Sequence, residues 1–217
     1  MTEAALPPDP KIEARRRQIV EAASDCVRRA GFHGASMAEI AHAAGLSVGQ
    51  IYRYFENKDA IVAAIVARDA AEMRDKFAEL QRSNEPLAEA IINSASKAVD
   101  ENYDLRRSAL MLEVLAEAAR NPGVAAILQA ADVEERAFRQ SILRRIAPAS
   151  WDDRELAARG EVISMLFEGM AARGVNNPTS DRAAISEVLR SVLRRLLTET
   201  PSQVAPEPGI HREPSGH

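Results

Sequence analysis

Apolar residues recur every three to four positions along most of this chain, which is the spacing of one face of an α-helix. Met37, Ile40, Ala41 and Ala44 show this spacing in a short segment, and longer segments with the same period follow. Helix-capping residues, glycines and prolines divide the pattern into about nine predicted helices, at residues 11–30, 36–44, 47–55, 57–83, 86–103, 104–120, 124–146, 152–173 and 180–198. The sequence therefore predicts an all-α fold.

Two of the short helices form a recognisable pair. Ser36 can cap the first one, and Glu39 three residues later completes a capping box. Gly45 supplies the backbone freedom needed at its end, and Ser47 can cap the second helix, which we expect to extend to Phe55. Two helices joined by a short glycine-containing turn are typical of a helix-turn-helix, whose second helix enters a major groove.

These residues resemble the N-terminal DNA-binding domain of TetR-family transcriptional regulators. Gly49, Tyr52, Tyr54 with Phe55, and Lys58 stand at the spacing of the family pattern, and the likeness covers roughly residues 11–62. Tyr54 departs from the pattern, because the family often has histidine there. The resemblance implies a three-helix DNA-binding domain followed by a helical domain that binds a small molecule and dimerises.

Hydrogen-bonding side chains on the second helix suit the edges of base pairs. Gln50 can pair with adenine and Arg53 with guanine. Ser47 and Val48, at the start of the helix, can meet a phosphate and a thymine methyl group. Base reading is therefore expected from this segment.

Other side chains nearby suit phosphate oxygens. Tyr52, Tyr54 and Lys58 can donate hydrogen bonds to them, although the tyrosines can equally be core residues with their hydroxyl groups at the rim. The basic run Arg15 to Arg17 fits either a solvated face or contact with phosphates or the minor groove. The residues predicted to contact DNA are Arg15, Arg16, Arg17, Ser36, Met37, Ser47, Val48, Gln50, Tyr52, Arg53, Tyr54 and Lys58.

The net charge of −4 is unevenly distributed along the chain. Residues 11–60 hold eight basic and six acidic side chains, whereas residues 61–217 are acidic overall. This asymmetry is weak, so DNA binding has to depend on a few positioned contacts and on the avidity of a dimer.

The last two predicted helices carry the signal for dimerisation. Each has a continuous apolar stripe, and TetR-like regulators dimerise through two such helices from each subunit. The alternative is that both stripes close the core of this chain. The predicted interface residues are Leu156, Gly160, Ile163, Phe167, Met170, Ile185, Leu189, Val192, Leu193 and Leu196.

The middle helices are rich in large, flexible apolar residues, and the resemblance implies a small-molecule pocket among them. We predict that the pocket is lined by Met111, Leu115, Phe138 and Met165, although a filled core gives the same pattern. Glu113 and Glu117 favour a cationic ligand if they face inward. If they face outward, they form a polar stripe with Arg106 and Arg120.

Residue types also limit the chemistry that the chain can carry. Cys26 is the only cysteine and lies on an apolar stripe, and the four histidines fall outside the middle of the chain. We therefore predict no catalytic residue, no metal site and no cofactor, and we disfavour an enzyme fused to a DNA reader. With no signal peptide and no membrane span in the sequence, a cytoplasmic protein is expected.

The predicted organisation is a disordered arm at residues 1–10, a helix-turn-helix domain at 11–60, a ligand-binding and dimerisation domain at 61–200, and a disordered tail at 201–217. The predicted function is that of a repressor, which binds a palindromic double-stranded DNA operator as a homodimer and is released by a small-molecule effector. The alternative is a ligand-independent DNA-binding regulator or an activator.

Overall fold

The computed structural model describes residues 9–199. Most of the predicted arm and all of the predicted tail lie outside this range. Asp9 and Pro10 lie within it, and they begin the first helix: the Asp9 side chain accepts a hydrogen bond from the backbone N–H of Lys11 at 2.8 Å. Pro10 is therefore helical and does not belong to the arm.

All regular elements in the described range are helices, which confirms the all-α prediction. They are α1 (Pro10–Gly34), α2 (Met37–Ala43), α3 (Val48–Ile51), α4 (Lys58–Gln81), α5 (Leu87–Asn93), α6 (Ala95–Asn102), α7 (Leu105–Ala118), α8 (Pro122–Ile146), α9 (Asp153–Asn176) and α10 (Arg182–Thr198). No helix between residues 9 and 199 combines the length and apolar character needed to cross a membrane.

The predicted helix at residues 86–103 is two helices, so the described range holds ten helices where nine were expected. The break falls at Ser94, between α5 and α6. The Ser94 hydroxyl donates to the backbone carbonyl of Ile91 at 2.7 Å, and such a bond competes with the regular helical ladder.

Side-chain caps place the beginnings of the short helices where the sequence predicts them. Ser36 and Glu39 form a complete capping box at α2, and Ser47 caps α3. The Ser36 backbone N–H donates to the Glu39 carboxylate, and this bond holds the Glu39 pKa below its usual value. α3 is shorter than predicted: it ends at Ile51, and the backbone N–H groups of Arg53 and Tyr54 bond to carbonyls three residues back, as in a tighter turn.

α1 has a sharp kink at Gly31, where φ is 71° and ψ is 173°. This conformation is essentially restricted to glycine. The kink turns Phe32 into the core, where it is almost fully buried. The predicted end of the straight helix at Gly31 is therefore confirmed, although helical structure resumes after it.

The buried residues form two apolar clusters. The first cluster contains residues of the four helices α1, α2, α3 and α4, together with Leu110 and Val114 of α7 and Val124 of α8. We call it the shared core. Cys26 is buried in it, and burial raises the pKa of its thiol. The second cluster joins α5, α6, α8, α9 and α10. α1 is thus packed directly onto α7, and α4 onto α8.

Gly31→Ala is expected to lower the free energy of unfolding by about 1–3 kcal/mol, because alanine disfavours the observed backbone conformation. Gly49→Ala is the matched control, since a Cβ at Gly49 meets no other atom within 4 Å and that residue lies in ordinary helix. Urea denaturation of both variants measures the difference. Equal stabilities would contradict the strain assigned to residue 31.

Candidate nucleic-acid interface

Burial fixes which face of α3 is outward. Ile51 and Phe55 are 0% and 2% exposed and pack into the shared core. Val48 and Tyr52, which are also four residues apart, are 47% and 52% exposed, and Arg53 beside them is exposed. α3 and the turn that follows it therefore present an apolar pair and a guanidinium group to solvent.

Gln50 is exposed, but its amide oxygen is engaged within α3. The Ser47 backbone N–H donates to Gln50 Oε1 at 2.8 Å, and the Gln50 backbone N–H donates to Ser47 Oγ at 3.3 Å. The two residues form a second capping box. Gln50 thus has a structural contact that the sequence reasoning missed, although a Ser-x-x-Gln spacing is a known signal for it.

Arg16 of α1 contacts the residues that follow α3. Its guanidinium carbon lies 4.2 Å from the centre of the Phe55 ring, and Nη1 donates to the Tyr54 carbonyl oxygen. Arg15 and Arg17 are exposed, and Arg15 donates to the side chain of Gln18 at 2.8 Å. Arg16 is therefore committed to contacts within the chain, while its two neighbours face solvent.

Lys58 ties the start of α4 to the kinked end of α1. Its Nζ donates to the carbonyl oxygen of Phe32 at 2.7 Å and lies 4.1 Å from the centre of the Phe32 ring. Lys58 is half-buried. Phosphate binding by Lys58 stays a prediction, and the observed contacts give this residue a structural role as well.

The predicted DNA-contacting residues differ in exposure. Ser36 and Ser47 are exposed at the helix caps, whereas Met37 and Tyr54 are half-buried against the shared core. The structure thus brings Ser47, Val48, Tyr52 and Arg53 to one outward segment.

Comparison with known proteins agrees with this geometry. Residues 19–65 match the sequence model of bacterial regulatory proteins of the tetR family, and residues 94–198 match that of the C-terminal domain of BetI-type transcriptional repressors. The chain belongs to the TetR family of bacterial transcriptional regulators. Its family is one of regulators and not of enzymes.

Individual relatives of this TetR-family chain are similar at moderate identity. The HTH-type transcriptional regulator UidR of Escherichia coli K12 is 33% identical over 119 residues, covering 52% of this chain and 57% of UidR. The alignment therefore spans little more than half of that relative's length.

Solved structures share the fold over nearly the whole chain. A transcriptional regulator from Pseudomonas aeruginosa PAO1 has a TM-score of 0.71 at 22% identity, covering 87% of this chain and 92% of its own. FadR from Bacillus subtilis, solved in complex with stearoyl-CoA, has a TM-score of 0.67 at 20% identity, covering 85% and 98%.

In this TetR-family regulator, Glu117 lies at the junction between α7 and the end of α1. Its side chain is 5% exposed, and its carboxylate accepts hydrogen bonds from Arg120 Nε at 2.8 Å and Asn121 Nδ2 at 3.1 Å. His33 Nδ1 lies 3.7 Å from the same carboxylate. Of the two alternatives for Glu117, the inward position is the one observed, and its carboxylate oxygens have partners within the chain.

Glu113 and Arg106 lie along the same side of α7. A Cβ added at Gly31 would lie 3.4 Å from Glu113 Oε2, so this carboxylate is next to the kink of α1. Arg106 pairs with Asp25 of α1 at 2.9 Å. The predicted stripe of four charged residues is therefore largely a set of contacts between α7 and α1.

The predicted pocket residues are not gathered around one cavity. Leu115 and Met165 are 44% and 60% exposed, so their assignment to an enclosed wall is corrected: neighbouring helices do not cover them. Met111 and Phe138 are half-buried, and Phe138 packs edge-on against Phe77 with 5.6 Å between ring centres. A groove of about 450 Å³ is open to solvent along α10, and its lining residues are polar or charged.

The predicted dimer stripes close the core of this chain. Leu156, Gly160, Met170, Leu189 and Leu193 are buried within the chain, and their contact with a second copy stays a prediction. The other predicted interface residues are half-buried; these are Ile163, Phe167, Ile185, Val192 and Leu196.

A different face of α9 is apolar and exposed. We call it the α9 stripe, and it consists of Ala158, Val162, Met165 and Gly169. A Cβ added at Gly169 would meet no other atom within 4 Å. Glu168 flanks the stripe, and its pKa is raised by partial burial and by the nearby carboxylate of Glu161. Sequence reasoning missed this face because alanine and glycine are weak apolar signals.

Lys58→Ala is expected to lower the free energy of unfolding by about 1–2 kcal/mol without DNA, because the variant loses the hydrogen bond to Phe32 and the contact with its ring. Arg53→Ala is the control, since it also removes one positive charge but from an exposed side chain. Chemical denaturation compares them. A destabilisation no larger than that of Arg53→Ala would show that the Phe32 contacts contribute little.

Proposed function

We propose that this chain is a homodimeric repressor that binds a palindromic operator through α3 and is released by a small-molecule effector. The observation that carries the proposal is the outward face of α3 and the turn after it, where Val48, Tyr52 and Arg53 are exposed while Ile51 and Phe55 are buried in the shared core. Such a face fits the major groove, whose base edges offer hydrogen-bonding groups and thymine methyls. The cytoplasm, where the bacterial chromosome lies, is then its site of action.

A second copy of the chain is the partner we propose for the α9 stripe. Small residues at Ala158 and Gly169 let a second helix approach closely, while Val162 and Met165 supply apolar area. A two-fold pair of α3 helices about 34–36 Å apart, or a multiple of that, addresses two half-sites of a palindrome.

For the effector, we propose that it binds near Met111, Phe77 and Phe138, where half-buried flexible and aromatic side chains of α4, α7 and α8 can rearrange. FadR, which shares the fold, was solved with stearoyl-CoA bound. An effector weakens operator binding only by its differential affinity for the two conformations.

Selection from a random DNA pool tests the DNA proposal. We expect the purified protein to enrich a palindromic sequence and to bind it far more tightly than a scrambled duplex. Arg53→Ala should lose about 1–3 kcal/mol on the enriched site and relax the base preference at one position. Enrichment of no sequence would contradict the proposal.

Met165→Asp tests the dimer. We expect about a tenfold or larger rise in the dimer dissociation constant, because burying an unpaired carboxylate costs about 1.4 kcal/mol or more. Leu105→Asp is the matched control, since Leu105 is a similarly exposed apolar residue on α7. Sedimentation velocity measures both variants. If Met165→Asp dimerises as well as Leu105→Asp does, the α9 stripe is not the interface.

A further inference from the structure

We call the exposed residues Val48, Tyr52 and Arg53 the reading face. Its apolar character is unusual for this part of the chain. Between residues 9 and 57, the large apolar side chains that remain exposed are Ile12, Val48 and Tyr52. Ile12 lies near the start of α1, whereas Val48 and Tyr52 lie one helical turn apart on one face. Val48 and Tyr52 therefore form a small exposed apolar pair that is available for contact with an apolar group of a partner.

The space beside this pair is open. Gly49 lies between the two residues in sequence, and a Cβ at this position would meet no other atom within 4 Å. The backbone of α3 can therefore come close to a base-pair edge at this point, which brings Val48 and Tyr52 within reach of it.

Gln50 is poorly placed for bidentate reading of adenine. That contact requires the amide oxygen to accept from adenine N6 while the amide nitrogen donates to N7. In this structure the amide oxygen already accepts from the Ser47 backbone N–H. The oxygen has a second lone pair, but turning the whole amide group toward adenine N6 and N7 would strain its bond to Ser47 and weaken the helix cap.

The major groove offers one apolar feature that distinguishes bases, the C5-methyl group of thymine. We propose that Val48 and Tyr52 read thymine methyl groups, and that Gln50 is a positioning residue that orients α3 through its cap. This inference rests on the proposed operator binding, and it assigns the base class that the reading face selects.

Deoxyuridine substitution in the selected operator tests the inference directly, because it replaces only the methyl group by hydrogen. We expect substitution of one thymine in each half-site to weaken binding of the unaltered protein by about fourfold per half-site, the value of one buried methyl group. Val48→Ala should bind the thymine operator more weakly and should lose less than twofold on substitution of that same thymine. Fluorescence anisotropy at fixed salt gives the four dissociation constants of each cycle.

Two further variants act as controls. Ile12→Ala removes exposed apolar area outside α3 and should keep the fourfold penalty of the unaltered protein. Val48→Thr retains one methyl group and should show an intermediate penalty, and circular dichroism confirms that each variant is folded.

Gln50→Glu separates positioning from reading. The carboxylate can still accept from the Ser47 backbone N–H, so we expect weaker binding to all DNA but an unchanged base preference in a repeated pool selection. A new preference for cytosine at one position would show that residue 50 reads a base, because a carboxylate accepts from cytosine N4.

Failure of methyl reading and failure of operator binding give different results. An operator without a thymine in its half-sites, or equal binding of thymine and deoxyuridine operators, would overturn methyl reading while leaving operator binding intact. A protein that prefers no sequence at all would overturn the proposed function itself.

Discussion

The shared core is the constraint on which the position of α3 depends. A segment of about 50 residues buries a small share of its apolar surface, so its stability from that burial is marginal. Here Leu110, Val114 and Val124 complete the core that holds Ile51 and Phe55. α7 and α8, which lie outside the helix-turn-helix, therefore contribute to the core against which α3 packs.

Hydrogen bonds fix how the end of α1 is oriented against α4 and α7. Apolar packing tolerates sliding, whereas hydrogen bonds to a buried carboxylate fix one geometry. The Glu117 carboxylate accepts hydrogen bonds from Arg120 and Asn121, and His33 lies close to it. Lys58 donates a hydrogen bond to the backbone carbonyl of Phe32, the residue before His33. These contacts surround the kink of α1, so the end of α1 is held from α4 and from α7 together.

Features that depend on nearby residues, such as helix caps, were predicted from the sequence better than the packing partners of each helix face. The capping box of Ser36 and Glu39 depends on residues three positions apart, so their spacing identified it, and the residue type and position of Ser47 identified the second cap. The break at Ser94 was missed because a hydroxyl bond to a carbonyl in the same turn has no distinctive spacing. On α9, periodicity identified apolar positions but not which neighbour covers them. One face therefore closes the core at Leu156 while the face containing Met165 is exposed.

Hydrogen exchange with and without the selected operator tests the central claim that the reading helix and α7–α8 share one core. A ligand that binds only the folded state slows exchange of every amide that exchanges through the same opening. We expect operator DNA to slow exchange around Ile51 and, by a similar factor, around Val114 and Val124. Protection confined to α1 through α3 would contradict it, because the helix-turn-helix would then open independently of the rest of the chain.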